Sequence, residues 1–305
     1  MSAAEHLSRA VAIDPEFPIA HATLALVSAH LYFEFAPQRA WLDKAEHHCG
    51  EALRLDPALP EGHLVRASIL WSPAKNFQHA ETIAALERAL EAQPNLEGPH
   101  NRMASVCWHI GRTEEARIAH ERAQQLNPKA RSVNPIWVHA CNGDFARAVE
   151  VAEAGLKQAP DNRYFLNLSA YFSLLAGDLA RAEERVAEGL RLWPEEPLLV
   201  GSQGMLHVRR GENALALECV RRALASRRSF GHTHHVHNQI ADIYAAVGEA
   251  DKAMGWLERT ADTGFPCWPF FLADPFLESL KDKVEFKRLI DVLRRTYTAL
   301  KIQRL

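Results

Sequence analysis

A recurring pattern of small residues and prolines dominates this 305-residue sequence. Residues 177–194 read GDLARAEERVAEGLRLWP, with alanine five residues after the first glycine, a small residue twelve after it and proline seventeen after it. The segments that begin at residues 111 and 143 keep all four positions, and the segment that begins at residue 211 keeps the first three. With Gly248, the opening glycines are separated by 32, 34, 34 and 37 residues.

This spacing predicts a pair of helices in each unit. Glycine adopts the positive φ of a tight turn without steric cost, and the proline ends the helix that follows. The two small residues are seven positions apart, close to two helical turns, so they lie on one face and let two helices approach closely. Residues 101–110 and 167–176 have the apolar periodicity of a preceding helix, with Ala104 and Ala170 at their centres. The unit is therefore helix, turn, helix.

The period, the turn glycine, the two small residues and the closing proline together resemble the tetratricopeptide repeat. Two weaker units come earlier in the chain, and their first helices are predicted to be longer or to be followed by longer turns, around Pro37 and Pro73. The positions that keep the spacing in these units are Ala45, Ala52 and Pro57, then Thr82, Ala89 and Pro94. The resemblance extends over residues 1–262 and implies an all-α fold, a right-handed α-solenoid of about seven helical hairpins.

The two ends of the sequence depart from the repeat. Ala3, Ala10 and Pro15 fall in the frame of a second helix, which predicts an array that starts in mid-repeat, as in a piece of a longer protein or a truncated gene. Residues 263–305 are aromatic-rich at first and then helical in periodicity. They are predicted to form a C-terminal cap over the exposed end of the stack. This ending resembles that of bacterial tetratricopeptide proteins in which the array follows a DNA-binding, nucleotide-cyclase or kinase module.

The resemblance implies a concave surface, lined by the first helices, that suits an extended peptide or a partner helix. Asparagines at one shared position are candidates to hydrogen-bond a peptide backbone, or else simply form a polar surface. The aromatic residues are candidates to anchor apolar side chains of a partner, or else to pack between helices. Carried over unit by unit, the candidate binding residues are Trp71, Asn101, Ser105, Trp108, Trp137, Tyr164, Asn167, Tyr171, Met205, Asn238 and Asp242.

Other kinds of site find less support in the sequence. The lysines with which some tetratricopeptide domains hold a chaperone's terminal carboxylate are replaced here by Gly98, Tyr164 and His235, and Arg102 alone matches. The histidine-rich stretch 231–238 is interpreted as a solvated helix start, with adventitious zinc or nickel binding as the alternative. Phosphate-binding, dinucleotide-binding and metalloprotease motifs do not occur. The sequence therefore predicts no enzyme, no cofactor and no resident metal.

Composition narrows the class of partner. The net charge is −3, and the six arginines between residues 209 and 228 are offset by nearby glutamates, which makes a nucleic-acid partner unlikely. Five scattered cysteines without a C-x-x-C pair favour a reducing, cytoplasmic setting. The longest uncharged run, residues 17–33, contains a proline and two histidines, so no membrane partner is expected.

The predicted function is a non-catalytic scaffold that holds a peptide or partner domain of unknown identity in its concave groove. One alternative is a ligand-sensing or regulatory region of a larger signalling or transcriptional regulator, which the mid-repeat start favours. Another is self-association through the exposed N-terminal helix.

Overall fold

The chain folds into a stack of helical hairpins. The structure is a computed structural model, and it describes residues 3–35, 38–226 and 231–305. Within these ranges a first helix, α1 (Ala3–Ile13), is followed by seven hairpins. The hairpins are α2 (Pro18–Glu34) with α3 (Arg39–Leu55), α4 (Pro60–Leu70) with α5 (His79–Ala92), α6 (Glu97–His109) with α7 (Thr113–Leu126), α8 (Asn134–Cys141) with α9 (Phe145–Gln158), α10 (Arg163–Ala176) with α11 (Leu179–Leu192), α12 (Pro197–Arg209) with α13 (Asn213–Ala225), and α14 (Thr233–Ala246) with α15 (Ala250–Asp262). The described ranges contain no strand, and the predicted all-α solenoid is confirmed.

The turn glycines have the backbone conformation that the repeat pattern predicts. The opening glycines at positions 111, 143, 177, 211 and 248 all have φ between 76° and 87°. Residues with a Cβ rarely adopt this left-handed region, so each turn depends on glycine. The helix that follows ends two residues before the closing proline in the units that end at Pro128, Pro160 and Pro194.

The small residues are the places where neighbouring helices approach each other. The alanines at positions 116, 148, 182 and 216 are completely buried. Gly189 lies so close to the first helices of its own and of the next hairpin that an added Cβ would come within 2.6 Å of side-chain carbons of both Leu166 and Leu199. The recurrence of small residues is therefore a packing requirement between helices.

The earlier units differ from the later ones in the way predicted. Helix α2 is 17 residues long, and Pro37, around which a longer turn was predicted, lies outside the described residues. Helix α4 is followed by a 3₁₀ turn (Pro73–Lys75). Asn76 and Phe77 then take positive φ values of 51° and 49°, which turns the chain into α5. Arg227 and Arg228 of the arginine-rich stretch also lie outside the described ranges.

The residues after α15 do not simply cover the end of the stack. They form α16 (Trp268–Ala273), a 3₁₀ helix (Pro275–Leu280) and α17 (Val284–Thr298). Residues 263–280, called the return segment below, run back over the inner side of the hairpins. Phe265, Phe270 and Phe271 are completely buried there. The ring of Phe270 lies 5.8 Å from that of Trp137 on α8, four hairpins into the stack.

The C-terminal helix and tail return further, to the second and third hairpins. Nη1 of Arg112 donates hydrogen bonds to the carbonyl oxygens of Tyr297 and Leu300, at 3.2 and 2.7 Å. Arg304 forms an ion pair with Glu91 on α5 at 3.3 Å. The chain therefore closes on itself, and its last residues contact units that lie near its beginning.

The first hairpin also contacts the last one. The backbone N–H of Gly231 donates to the carbonyl oxygen of Phe33 at 2.9 Å. The Phe33 ring lies 4.9 Å from the ring of His232. The first and seventh hairpins are thus in direct contact across the inner surface of the solenoid.

Candidate ligand-binding surface

Most of the residues predicted to line an open concave surface are buried in this structure. Asn101, Ser105 and Tyr164 remain partly exposed. The buried ones are Trp71, Trp108, Trp137, Asn167, Tyr171, Met205, Asn238 and Asp242. They lie on the inner side of the first helices, where the return segment and the start of α14 cover them. The open trough expected over the central units is therefore filled by the protein's own chain.

The tryptophans form a stacked aromatic core. The rings of Trp108 and Trp137 are parallel within 2° at a centroid distance of 4.6 Å. His235 also stacks on Trp137 at 4.5 Å, and Phe265 of the return segment contacts both tryptophans edge-on. Trp71 lies in edge contact with Phe77. This arrangement corresponds to packing between helices, the alternative interpretation of these aromatic residues.

The asparagine of the third hairpin is engaged by its neighbour in the fourth. Nδ2 of Asn134 donates to Oδ1 of Asn101 at 2.9 Å, and Ser132 donates to the same oxygen at 3.0 Å. Oδ1 of Asn134 accepts from the Ser105 hydroxyl and from Nε1 of Trp108, both at 2.9 Å. Asn134 was missed in the sequence because the family pattern assigns positions 133 and 137 to the inner face and passes over position 134. These amides join α6 to α8.

A buried acidic cluster joins α10 and α14 to the return segment. The Tyr171 hydroxyl lies 3.3 Å from Oδ2 of Asp242, and Nδ2 of Asn238 donates to the Tyr171 oxygen at 3.0 Å. Asp274 of the return segment faces the same group, and its Oδ1 accepts from the backbone N–H of Phe276 at 2.8 Å. Burial raises the pKa of Asp274 to about 7. Burial and the nearby charge of Asp274 raise the pKa of Asp242 well above its ordinary value.

The remaining central candidates have little access to solvent. Asn167 is buried, and its side-chain amide has no hydrogen-bond partner among the described residues. It lines a small cavity of about 20 Å³ together with Trp137, Tyr171 and Gln239. That volume exceeds the roughly 10–15 Å³ that one water molecule requires, but it excludes a peptide.

An open cavity remains at the N-terminal end of the concave surface, and we call it the N-terminal cavity. Its volume is about 430 Å³. Its walls come from α2, α4 and α6 and from the residues just before α14. The lining residues are Leu26, Val27, Ala29, His30, Leu31, Phe33, Glu34, Ser68, Trp71, Arg102 and His232. Of these, only Trp71 is among the predicted binding residues, because α2 has no clear place in the repeat alignment.

Arg102 supplies the cation of the N-terminal cavity. Its guanidinium lies over the Trp71 ring, 5.2 Å from the centroid, and none of the carboxylates in the described residues is bonded to it. Glu34 lies on the same cavity but is bonded to the Tyr164 hydroxyl. Burial lowers the pKa of Arg102, and the more distant charge of Glu34 offsets part of that effect. A partly buried guanidinium without a bonded counter-ion favours an anionic ligand.

The histidine-rich stretch is not a solvated helix start. His232, His234 and His235 lie between α6 and the return segment. His234 and His235 are buried there, and His232 is partly buried. Directly before this stretch, the hydrogen bond from Gly231 to Phe33 joins the start of α14 to the first hairpin. All five cysteines are buried thiols.

Stacked hairpins around a common inner surface define this chain as an α-solenoid repeat protein. The family model described as the tetratricopeptide repeat matches residues 138–197 and 202–266. These two ranges of the chain are therefore tetratricopeptide repeats. Within the described ranges, the helices do not combine the length and the apolar character that crossing a membrane requires.

Solved structures with the same fold extend over most of the chain. A tetratricopeptide repeat protein from Parabacteroides merdae ATCC 43184 is 14% identical, with a TM-score of 0.53, over 90% of this chain and 99% of that one. A chain of the APC/C hetero-tetramer Cut9–Hcn1 is 11% identical, with a TM-score of 0.56, over 95% of this chain and 58% of that one. At these identities the similarity shows the fold alone. No curated protein matches the sequence.

Proposed function

We propose that the protein is a non-catalytic interaction scaffold that binds a peptide segment of a partner protein in the N-terminal cavity. Arg102 carries this proposal, because it places a positive charge, with no bonded counter-ion among the described residues, in the wall of an otherwise mainly apolar cavity of about 430 Å³. Tetratricopeptide repeats generally act as scaffolds for protein or peptide partners, and their binding surfaces lie on the inner side of the array.

The chemistry of the cavity selects the kind of peptide. Leu26, Leu31 and Phe33 offer an apolar wall to one side chain of the peptide. Arg102 then offers charge-assisted hydrogen bonds to an aspartate, a glutamate or a terminal carboxylate beside it. An acidic residue next to a large apolar residue is therefore the proposed recognition element.

Peptide display on the full chain tests this proposal. Random peptides selected on the wild-type protein are expected to be enriched in acidic residues beside Leu, Ile, Phe or Met. Arg102→Gln is expected to weaken binding of a selected peptide by at least about tenfold, since a hydrogen bond to a charged group contributes roughly 1.5–3 kcal/mol. Arg191→Gln, at an exposed arginine on α11, is the matched control and should leave affinity unchanged. Equal affinity of Arg102→Gln and wild type would contradict the proposal.

A ligand-sensing role is a second candidate, supported by the size of the same cavity. Its volume falls within the roughly 300–1,000 Å³ typical of small-molecule sites. In that case an amphipathic carboxylate would occupy the cavity, and the array would be a regulatory region of a larger signalling or transcriptional regulator. Long-chain and aromatic carboxylates would then raise the thermal midpoint of the wild type and compete with the selected peptides.

Self-association at the N-terminal helix is a third candidate. Ile13 and Phe17, at the end of α1 and just before α2, are 81% and 45% exposed. A second copy would cover them. Light scattering at several concentrations distinguishes a monomer from a dimer, and Ile13→Lys with Phe17→Ser should abolish any dimer that forms there. We place each of these roles in a reducing cytoplasm, where five buried thiols remain reduced.

A further inference from the structure

We propose that His109, His232, His234 and His235 form a binding site for one divalent transition-metal ion, with Zn²⁺ as its representative. Each residue offers one ring nitrogen, and the four nitrogens lie within 4.8 Å of one another. His109 lies at the end of α6, and the other three lie at the start of α14, more than 120 residues later. Neither the peptide-binding proposal nor the hairpin packing requires four imidazoles at one point.

The geometry is close to that of a tetrahedral site. Zn–N bonds of about 2.0–2.1 Å place neighbouring nitrogens about 3.3 Å apart in a tetrahedron. Nδ1 of His232 and Nε2 of His234 are already 3.1 Å apart. The widest separation in the cluster must contract by about 1.5 Å, which rotations about side-chain torsions supply.

Two of the histidines are held by hydrogen bonds through one ring nitrogen, which leaves the lone pair of the other nitrogen available to a metal ion. Nδ1 of His109 lies 2.7 Å from the carbonyl oxygen of Ser105, and Nδ1 of His234 lies 2.8 Å from that of Thr263. A carbonyl only accepts, so Nδ1 carries the proton in each ring and Nε2 carries the lone pair. Carbonyl groups orient metal-ligating histidines in this same way.

Two further ring nitrogens of the cluster are buried without a hydrogen bond. Among the described residues, Nε2 of His109 and Nδ1 of His235 have no donor or acceptor within reach. Leaving buried polar atoms unpaired costs free energy, and a bound metal ion would satisfy the lone pair on Nε2 of His109. This observation is independent of the convergence of the four rings.

The surroundings keep the imidazoles in their metal-binding form. Burial and the neighbouring histidines lower the pKa of His109, and burial with the charge of Arg102 lowers the pKa of His232 to about 3. Neutral imidazole binds zinc, copper and nickel, whereas calcium and magnesium prefer oxygen ligands. The positive charge of Arg102 repels a metal cation. Because of this repulsion, the affinity for the metal ion depends on all four nitrogens acting together.

Occupation of the site would link the third and seventh hairpins. A ligand that binds the folded chain alone stabilises it by mass action, and Zn²⁺ at a hundredfold excess over its dissociation constant should raise the thermal midpoint by about 5 °C. The site therefore has a structural consequence that is independent of any partner.

Metal titration of the full chain tests the proposal. The protein is stripped with a chelator, and Zn²⁺ is titrated against a chromogenic chelator, with Co²⁺ as a spectroscopic probe. We expect one ion per chain and the intense visible bands of tetrahedral Co²⁺. His109→Gln and His235→Gln should each weaken Zn²⁺ binding by at least a hundredfold. His237→Gln is the matched control, since His237 contacts the Thr263 hydroxyl outside the cluster and should leave binding unchanged.

Other outcomes overturn the proposal. The proposal is wrong if the wild-type chain binds no Zn²⁺ at micromolar concentration, or if bound Co²⁺ shows only the weak bands of octahedral coordination. It is also wrong if His109→Gln still binds one ion per chain with unchanged affinity. Circular dichroism verifies that each variant is folded. If His109→Gln fails to fold, His232→Gln replaces it, because His232 is only partly buried and tolerates substitution better. Peptide affinity measured with the metal-free chain keeps this test separate from that of the proposed function.

Discussion

The acidic cluster at the return segment makes the stability of the protein depend on pH in a way that one substitution should remove. Asp274 and Asp242 are both completely buried and face the hydroxyl of Tyr171 and the amide of Asn238. Burial raises the pKa of Asp274 from 3.8 to about 7. A carboxyl whose pKa rises on folding stabilises the protein fully below its unfolded pKa, near 4, and that stability is lost as the pH rises through about 7.

The magnitude follows from the shift. About three pKa units correspond to about 4 kcal/mol at 1.36 kcal/mol per unit. Asp274→Asn keeps an oxygen that accepts from the backbone N–H of Phe276, and it removes the negative charge that also disfavours ionised Asp242. The variant should therefore have nearly the stability of the wild type at pH 4. It should gain about 2–4 kcal/mol relative to the wild type by pH 8.

Urea unfolding of both proteins between pH 4 and pH 8 measures this difference. The buried histidines, whose pKa values are lowered by burial, also make the free energy of unfolding fall as the pH drops below about 6.5. They do so in both proteins, so the difference between the two curves isolates the carboxyl pair. Asp282→Asn, at a fully exposed aspartate nearby, is the control and should show no trend. A difference that stays constant across this pH range would refute the reasoning.

Two further predictions concern packing. Gly189→Ala should lower stability by about 1 kcal/mol, because overpacking against two leucine side chains outweighs the gain in helix propensity. Gly50→Ala, where an added Cβ has open space, should instead raise it by about 0.5–1 kcal/mol, and thermal unfolding compares the two. Phe270→Ala should cost about 3–5 kcal/mol by removing a fully buried ring of the return segment. Leu272→Ala, at a side chain that is 41% exposed, should cost less than half as much in urea unfolding. Equal losses at positions 270 and 272 would mean that the return segment does not pack on the concave surface in solution.

The hairpins were predictable from the sequence because each one depends on local geometry. Gly177 is determined by a turn with positive φ, and Ala182 by the close approach of two helices. Both features involve residues that are near one another in the chain. They recur with the same spacing wherever the same unit recurs. Tyr171, Asn238 and Asp242, which the sequence analysis assigned to one inner surface, contact one another in the structure.

The occupant of that surface was not predictable. The position of Phe270 against Trp137 is set by contacts between segments more than 100 residues apart, and no periodicity records them. The aromatic residues after position 263 indicated a buried segment, but they did not indicate which surface of the array the segment covers. The role of His109 in the histidine cluster could not be predicted for a similar reason. It is a single histidine at a helix end, and only the folded chain brings the three histidines at the start of α14 beside it.

The contact between Gly231 and Phe33 has a consequence for how this array can evolve. An open solenoid tolerates the gain or loss of a unit, because each hairpin touches only its neighbours. Here the seventh hairpin must reach the first, and Arg112 must reach the carbonyl oxygens of the last helix and tail. Duplicating or deleting a hairpin between them would rotate these partners apart, so selection should hold the number of units constant while individual surface positions drift.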